Sequence, residues 1–383
     1  MTQEIQDFIP ASCDLLGLGE PTHQEPAFAL IRNELFPHLV ERGFRSIALE
    51  IDRVAALDVN DYVQGGPGTL EEVVREGFSH EWGEREPNRQ LVAWIRDHNR
   101  AHPRDRVTFH GFDAPTENYS APSPRTYLEY ARDYLKLDHD IAALAGDDHR
   151  WSRQEAVLDP AMSPGATPEA KQLRDLGEDM LFTLYRRAAD LIATTSRAEW
   201  FSAETHLTAA LGLLRYHAQC AEPLPPHERL TPLIATRDTL MAHNLLAIRR
   251  LEARRGPTLV CAHNLHLQRG TTTMPLPDQT YTWSNAASII DALDVLDYTF
   301  ITGSLGRSGA FDLGTPDPDS YEGLLDTRTD TWSLTPAAEI TGAHPRTDPI
   351  PHGHFPLTAD LLDRADAILH VREGAAPIRS ADR

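Results

Sequence analysis

Four short apolar runs, each ending in a residue that can do chemistry, organise this chain. Leu15–His23 reads Leu-Leu-Gly-Leu-Gly-Glu-Pro-Thr-His, a buried strand that stops in glycine and then delivers Glu20 and His23. Arg45–Ile51 is a second run with Glu50 at its end, and Val107–Asp113 is a third ending at Asp113. Thr258–His266 is a fourth, ending at His263 and His266. After the first run, Phe28, Leu30, Ile31, Leu35, Phe36, Leu39 and Val40 recur at helical spacing until Gly43 closes the helix. Strand, helix, strand at this length is a βαβ unit, which demands parallel strands. Parallel strands bring every one of those polar ends to the same carboxyl edge, where an open α/β sheet binds its ligands.

The same periodicity predicts helices over Val54–Val63, Leu70–Phe78 and Arg89–His102, the last burying Leu91, Val92, Trp94 and Ile95. No convincing strand lies between Pro124 and Arg255. Helices are expected over Tyr127–Leu144, Ala170–Thr195, Ala203–Cys220 and Leu233–Arg255, broken by proline-rich turns. Leu293–Ile301 and Ala367–Val371 read as the remaining strands. The intervening Gly303-Ser-Leu-Gly-Arg-Ser-Gly lacks the full phosphate-loop or nucleophile-elbow pattern and reads as a flexible loop near the crevice. The expected fold is α/β: a central, mostly parallel sheet flanked by helices, with a large helical insertion capping its carboxyl edge. Residues 1–123 and 256–383 would form the catalytic core and residues 124–255 the insertion.

Composition narrows the partners. A formal net charge of −21 over 383 residues argues against nucleic acid and against an anionic membrane, since both favour basic surfaces. No apolar run approaches the roughly 20 residues needed to cross a bilayer. Met1–Pro10 carries Glu4 and Asp7 and lacks the basic start and apolar core of a signal peptide. Cys13, Cys220 and Cys261 are too few for a disulfide framework, so buried thiols in a reducing cytoplasm are expected. The expected partner is a small molecule, with the oligomeric state left open.

Two or more imidazoles and three carboxylates over one crevice suit acid–base chemistry, because a base works only within hydrogen-bond reach of its proton. His23 fits a general base, since an unperturbed imidazole titrates near roughly pH 6.5. Glu20 or Glu50 would orient its ring. His263 and His266 are candidates for stabilising an oxyanion or protonating a leaving alkoxide. Arg32 has two open roles, binding the oxyanion or pairing with Glu50. Asp113 reads as a structural acceptor, Arg237 and Asp238 as a supporting ion pair, and Glu81, Trp82 and Trp94 as packing or rim residues that support the site. His352-Gly-His354 resembles a metal tag but sits in a proline-rich loop with no third ligand nearby. No cofactor and no metal is expected, although Glu-x-x-His plus His-x-x-His could supply ligands to zinc or manganese. A binding protein without catalysis, and a biosynthetic enzyme using the same groups for cyclisation, elimination or ester formation, also stay open.

These residues resemble the erythromycin esterase family. The matching segments are Gly19-Glu-Pro-Thr-His followed by Arg32, Ala48-Leu-Glu, Trp94-Ile-Arg-Asp-His-Asn and Gly111-Phe-Asp. Arg237-Asp-Thr-Leu-Met-Ala-His-Asn and Ala262-His-Asn-Leu-His complete the set. They run in the family's order over nearly the whole chain. The resemblance implies a metal-independent hydrolase that opens macrolide lactones, with His23 as general base and Glu20, Arg32, Glu50, His263 and His266 as further active-site residues. The family also contains proteins labelled for polysaccharide biosynthesis, and the helical insertion is its variable part.

Overall fold

A seven-stranded sheet forms the centre of the chain. The computed structural model describes residues 5–275, 279–310, 312–351 and 353–375. Its strands are β1 (Leu15–Glu20), β2 (Ser46–Asp52), β3 (Thr108–Asp113), β4 (Thr258–His263), β7 (Tyr298–Arg307), β8 (Trp332–Pro336) and β9 (Ala367–Glu373). A separate hairpin joins β5 (Thr271–Pro275) to β6 (Thr280–Ser284). The sheet order is β3-β2-β4-β1-β7-β9-β8, and only β8 runs antiparallel. From β1 the chain builds outward to one side through β2 and β3, returns to insert β4, and then builds to the other side through β7 and β9. The crevice of such a sheet opens beside its central strands, where the direction of winding changes.

Both faces of the sheet are covered, which is why its strands read as nearly continuous apolar runs. Leu16, Leu18, Ile47 and Leu49 pack with Phe36 and Leu39 of the Pro26–Glu41 helix and with Leu91 and Ile95 of the Glu86–Ala101 helix. On the opposite face Leu15, Ala48, Val260 and Phe300 meet Met241, Leu245 and Ile248 of the Pro226–Glu252 helix. Helices between Arg125 and Cys220 enclose a core of their own around Leu128, Leu173, Leu207, Trp151 and Trp200. Among the described residues, no helix is long and apolar enough to cross a membrane.

The largest departure from the sequence reading lies after residue 285. Leu293 ends a helix, Ala286–Leu293, capped by the Asn285 side chain and closed by Asp294 in the left-handed region. The strand starts only at Tyr298 and runs through Arg307, so the glycine run is buried sheet rather than a flexible loop. Asn264 explains part of this: its side chain accepts from the Gly303 amide (3.0 Å) and donates to the Gly303 carbonyl (2.9 Å). That bridge passes across β1, and a Cβ at Gly19 would lie 2.1 Å from Asn264 Oδ1. Gly303 is equally constrained, since its Cβ would lie 2.4 Å from the Gly19 carbonyl oxygen and 2.7 Å from Glu20 Cα. The strand β8 and the β5–β6 hairpin are further elements that the sequence reading did not anticipate.

Candidate active site

The strand ends do converge. Glu20 and His263 are register partners at the tips of β1 and β4, and Glu50 lies in the next strand, β2. His23 follows Pro21 and Thr22 on the loop out of β1, and its Nδ1 sits 2.6 Å from Glu20 Oε1. Its Nε2 faces Glu50 Oε1 at 3.6 Å. The His23 and His263 rings are 5.2 Å apart, edge to face. His266 lies on the single helical turn Asn264–Leu267, and the backbone Phe355 N–H, bonded to the Pro21 carbonyl (2.9 Å), brings the Phe355 ring against His263. His23, Glu50, His263, His266 and Phe355 border a cleft of about 740 Å³ that is also lined by His80, Glu81, Trp82, Glu117, Arg237 and Met274.

Glu50 is the centre of charge. It is almost wholly buried, and its Oε1 meets Arg237 Nη2 at 3.0 Å and His266 Nε2 at 3.3 Å. Its Oε2 accepts the His263 backbone N–H at 2.9 Å. Burial alone would make this carboxyl harder to ionise, but the His266 and His23 imidazoles outweigh that and hold it well below the usual carboxylate range.

The three imidazoles are set to different states. Burial opposes charge on His23, but Glu50 and Glu20 outweigh it and lift the ring to about 9. His266 is likewise lifted to about 10 against burial, chiefly by Asp238 and then by Glu50, with Nδ1 2.8 Å from Asp238 Oδ1. His263 goes the other way: burial, reinforced by the nearby His23 charge, pushes it well below its ordinary value. His263 Nδ1 accepts the Leu265 N–H (3.1 Å), so the neutral ring carries its proton on Nε2. That Nε2 is buried without a partner at ordinary hydrogen-bond geometry, although the Pro21 backbone acts on the ring.

Several sequence assignments change. Arg237 and Asp238 do not pair with each other. Arg237 grips Asp113 through Nε–Oδ1 (2.9 Å) and Nη2–Oδ2 (2.5 Å), so Asp113 is indeed a fully buried acceptor. Asp238 serves His266, the Trp283 indole N–H (2.6 Å) and the Ala286 amide (2.9 Å) instead. Arg32 lies off the cleft lining, bonded to Asn33 Oδ1 (2.9 Å) and Asn88 Oδ1 (3.1 Å), while the pairing with Glu50 is made by Arg237. Trp82 does more than form a rim: its ring lies 4.6 Å from that of His23.

His80, Glu117 and Phe355 line the cleft and were not singled out from the sequence. His80 was detectable, since it opens His-Glu-Trp beside Trp82; the other two arrive on loops with no local signature. Among the described residues, no three histidine, cysteine, aspartate or glutamate side chains are grouped so as to hold a metal ion. The donor set agrees, because carboxylates face both nitrogens of His23 and His266, and His263 offers an N–H where a metal needs a lone pair. His352 lies outside the described residues, and burial lowers His354 to about 4.

The fold recurs in solved structures. A protein from Bacillus cereus is 16% identical, with a TM-score of 0.69 over 97% of this chain and 91% of that one. A succinoglycan biosynthesis protein is 19% identical, with a TM-score of 0.62 over 97% and 90%. A histidine-to-asparagine mutant of erythromycin esterase EreC in its open conformation is 19% identical, with a TM-score of 0.66 over 96% and 93%. No curated protein matches the chain. The family profile described as erythromycin esterase matches residues 39–374, nearly all of the sheet and every strand-end group after β1, and the chain belongs to the erythromycin esterase family.

Proposed function

We propose that this protein is a metal-independent carboxylic ester hydrolase that opens a macrolactone or a related natural-product ester. The observation that carries the reading is the meeting of His23, His263, His266 and Glu50, from separate strand ends, around one cleft of about 740 Å³. Clefts of roughly 300–1,000 Å³ bury most of a drug-sized ligand. Family membership supports an esterase, and the carboxylates paired with both nitrogens of His23 and of His266 favour direct water activation.

In this mechanism His23 takes a proton from water while Glu20 holds Nδ1 and steadies the imidazolium that forms. The resulting hydroxide adds to the ester carbonyl carbon. Negative charge on the carbonyl oxygen is met by the neutral His263 Nε2–H. Collapse of the intermediate breaks the carbon–alkoxide bond, and the alkoxide recovers the proton from His23. His266 and Arg237 keep Glu50 ionised and in place. A ring lifted to about 9 is a strong base present in only a small free-base fraction at neutral pH, so turnover should rise toward alkaline pH.

The test is incubation with a panel including erythromycin and tylosin, following a mass gain of one water. His23→Asn should cut kcat by about 10²–10⁴-fold. A chelator should leave activity intact; loss restored by added metal would replace the water-activation scheme. A panel that yields no opened product overturns the hydrolase reading.

A further inference from the structure

A fourth imidazole, His80, faces the same cleft, and the scheme above gives it no task. His80 and Glu81 are consecutive non-glycine residues in the left-handed region, both at φ 58°. Side chains disfavour that conformation, and it persists only where neighbours enforce it. Glu117 is the enforcing group: one oxygen accepts the His80 backbone N–H at 3.2 Å, and the other pairs with ring Nδ1. The segment is braced further along, where Asn88 Nδ2 donates to the Trp82 carbonyl (2.9 Å) and Arg85 Nη1 to the His23 carbonyl (2.5 Å).

The bracing leaves one ring atom loosely held. His80 Nε2 faces Asp113 Oδ2 at 3.7 Å, longer than a hydrogen bond, and that oxygen is already held by Arg237 at 2.5 Å. Strain kept at the edge of a cleft, by a carboxylate that fixes backbone and ring together, is a device for aiming a side chain. We propose that His80 contacts the substrate, its Nε2–H donating to an oxygen of the bound ester, and that Glu117 is its positioning residue. This rests on the esterase reading and adds a donor on the Trp82 side of the cleft, where the His23 and His80 rings both pack against Trp82.

The charge on His80 has identifiable sources. Burial works against it, while Asp113 and Glu117 outweigh burial and lift the ring to about 9; Arg237 lies beyond Asp113, and the Trp82 ring beside it is uncharged. The substrate contact should therefore weaken as pH rises above that value.

The decisive variant is His80→Asn, because asparagine tolerates the left-handed region and removes the imidazolium without adding backbone strain. The probe is erythromycin or tylosin, whichever the wild type opens faster. Loss of a charged donor should raise KM about 10–100-fold with a much smaller change in kcat. The wild type should lose kcat/KM at alkaline pH through His80, and His80→Asn should abolish that fall while keeping the rise set by His23. Should His80→Asn fail to fold, Glu117→Gln carries the test. It should raise KM and bring the alkaline fall to lower pH, since a lost carboxylate lowers the His80 value. A folded His80→Asn, or in its place a folded Glu117→Gln, with wild-type KM and pH profile overturns the proposal alone. A wild type that opens no macrolide overturns the esterase reading and this inference with it.

Discussion

The molecule contains two histidine constellations that look alike on paper and behave in opposite ways. On β7 and β9, the strands that follow β1 in the sheet order, Ser304 Oγ lies 2.9 Å from His370 Nδ1, and His370 Nε2 lies 2.8 Å from Asp326 Oδ1. Serine, histidine and aspartate in a chain is the connectivity of a hydrolase triad, although the two ring nitrogens are exchanged relative to that template. Yet Ser304 is 1% exposed and His370 is 0% exposed, in the middle of β7 and β9. Burial lowers His370 despite Asp326, whereas the carboxylates at the strand tips raise His23 and His266. The difference teaches that a relay of hydrogen bonds does not make a site. The strand-tip constellation has an open cleft, two carboxylates at each of the His23 and His266 rings and a neutral His263 ring beside them; the buried one is closed on itself and serves as internal polar packing.

Breaking the hub of the strand-tip cluster should have the largest effect. Glu50→Gln leaves Arg237 and His266 without their shared counter-charge, and loss of one partner of a buried pair costs about 3–5 kcal/mol. Denaturant unfolding should report that loss, and kcat/KM should fall by at least about 10²-fold, because the His23 base loses the buried carboxylate facing its Nε2. The comparison fails if Glu50→Gln is fully active. Ser304→Ala should do the reverse, lowering stability by about 1–3 kcal/mol through the orphaned His370 nitrogen while turnover stays at the wild-type level. An inactive but folded Ser304→Ala would reinstate the buried triad.

The smallest and most discriminating effect is in pH. His266 is raised in the folded state, so its contribution to stability is complete below the unfolded value near 6.5 and is lost as pH climbs through about 10. His370 is lowered, so its burial begins to cost stability as pH falls below that same unfolded value. Melting temperature against pH should show both limbs. His370→Asn should make only the acid limb shallower, since His263 and His354 are also lowered, and His266→Asn only the alkaline limb, since His23 and His80 are also raised. Both variants sharing one profile would mean that the two imidazoles are held alike.

Much of the strand-tip cluster was legible because buried parallel strands announce themselves as apolar runs, and the residue ending each run is fixed by the register. Glu20, His23, Glu50, Asp113, His263 and His266 came forward for that reason. Helical spacing, by contrast, tells which residues share a face but not which neighbour they reach. Arg237 and Asp238 are adjacent in sequence yet grip Asp113 and His266 respectively. Arg32 carries a full charge into a helix interface where Asn88 receives it, a partner 56 residues away that no local pattern reveals. The misplaced seventh strand has a similar cause: Leu293–Ile301 is uniformly apolar apart from two aspartates, and Asp294, which turns the chain out of its helix, looked like a polar face of a strand. Glu117 and Phe355 were invisible because long-range chain return, rather than periodicity, puts them at the cleft.

The bare backbone at Gly303 has a consequence beyond packing. With no room for even a methyl group against Gly19 and Glu20, strand β7 abuts the backbone that carries the first carboxylate. Bulk added at this position would detune proton affinity at His23 without touching either ring. A residue absent from the walls of the cleft thereby bears on the backbone beneath it.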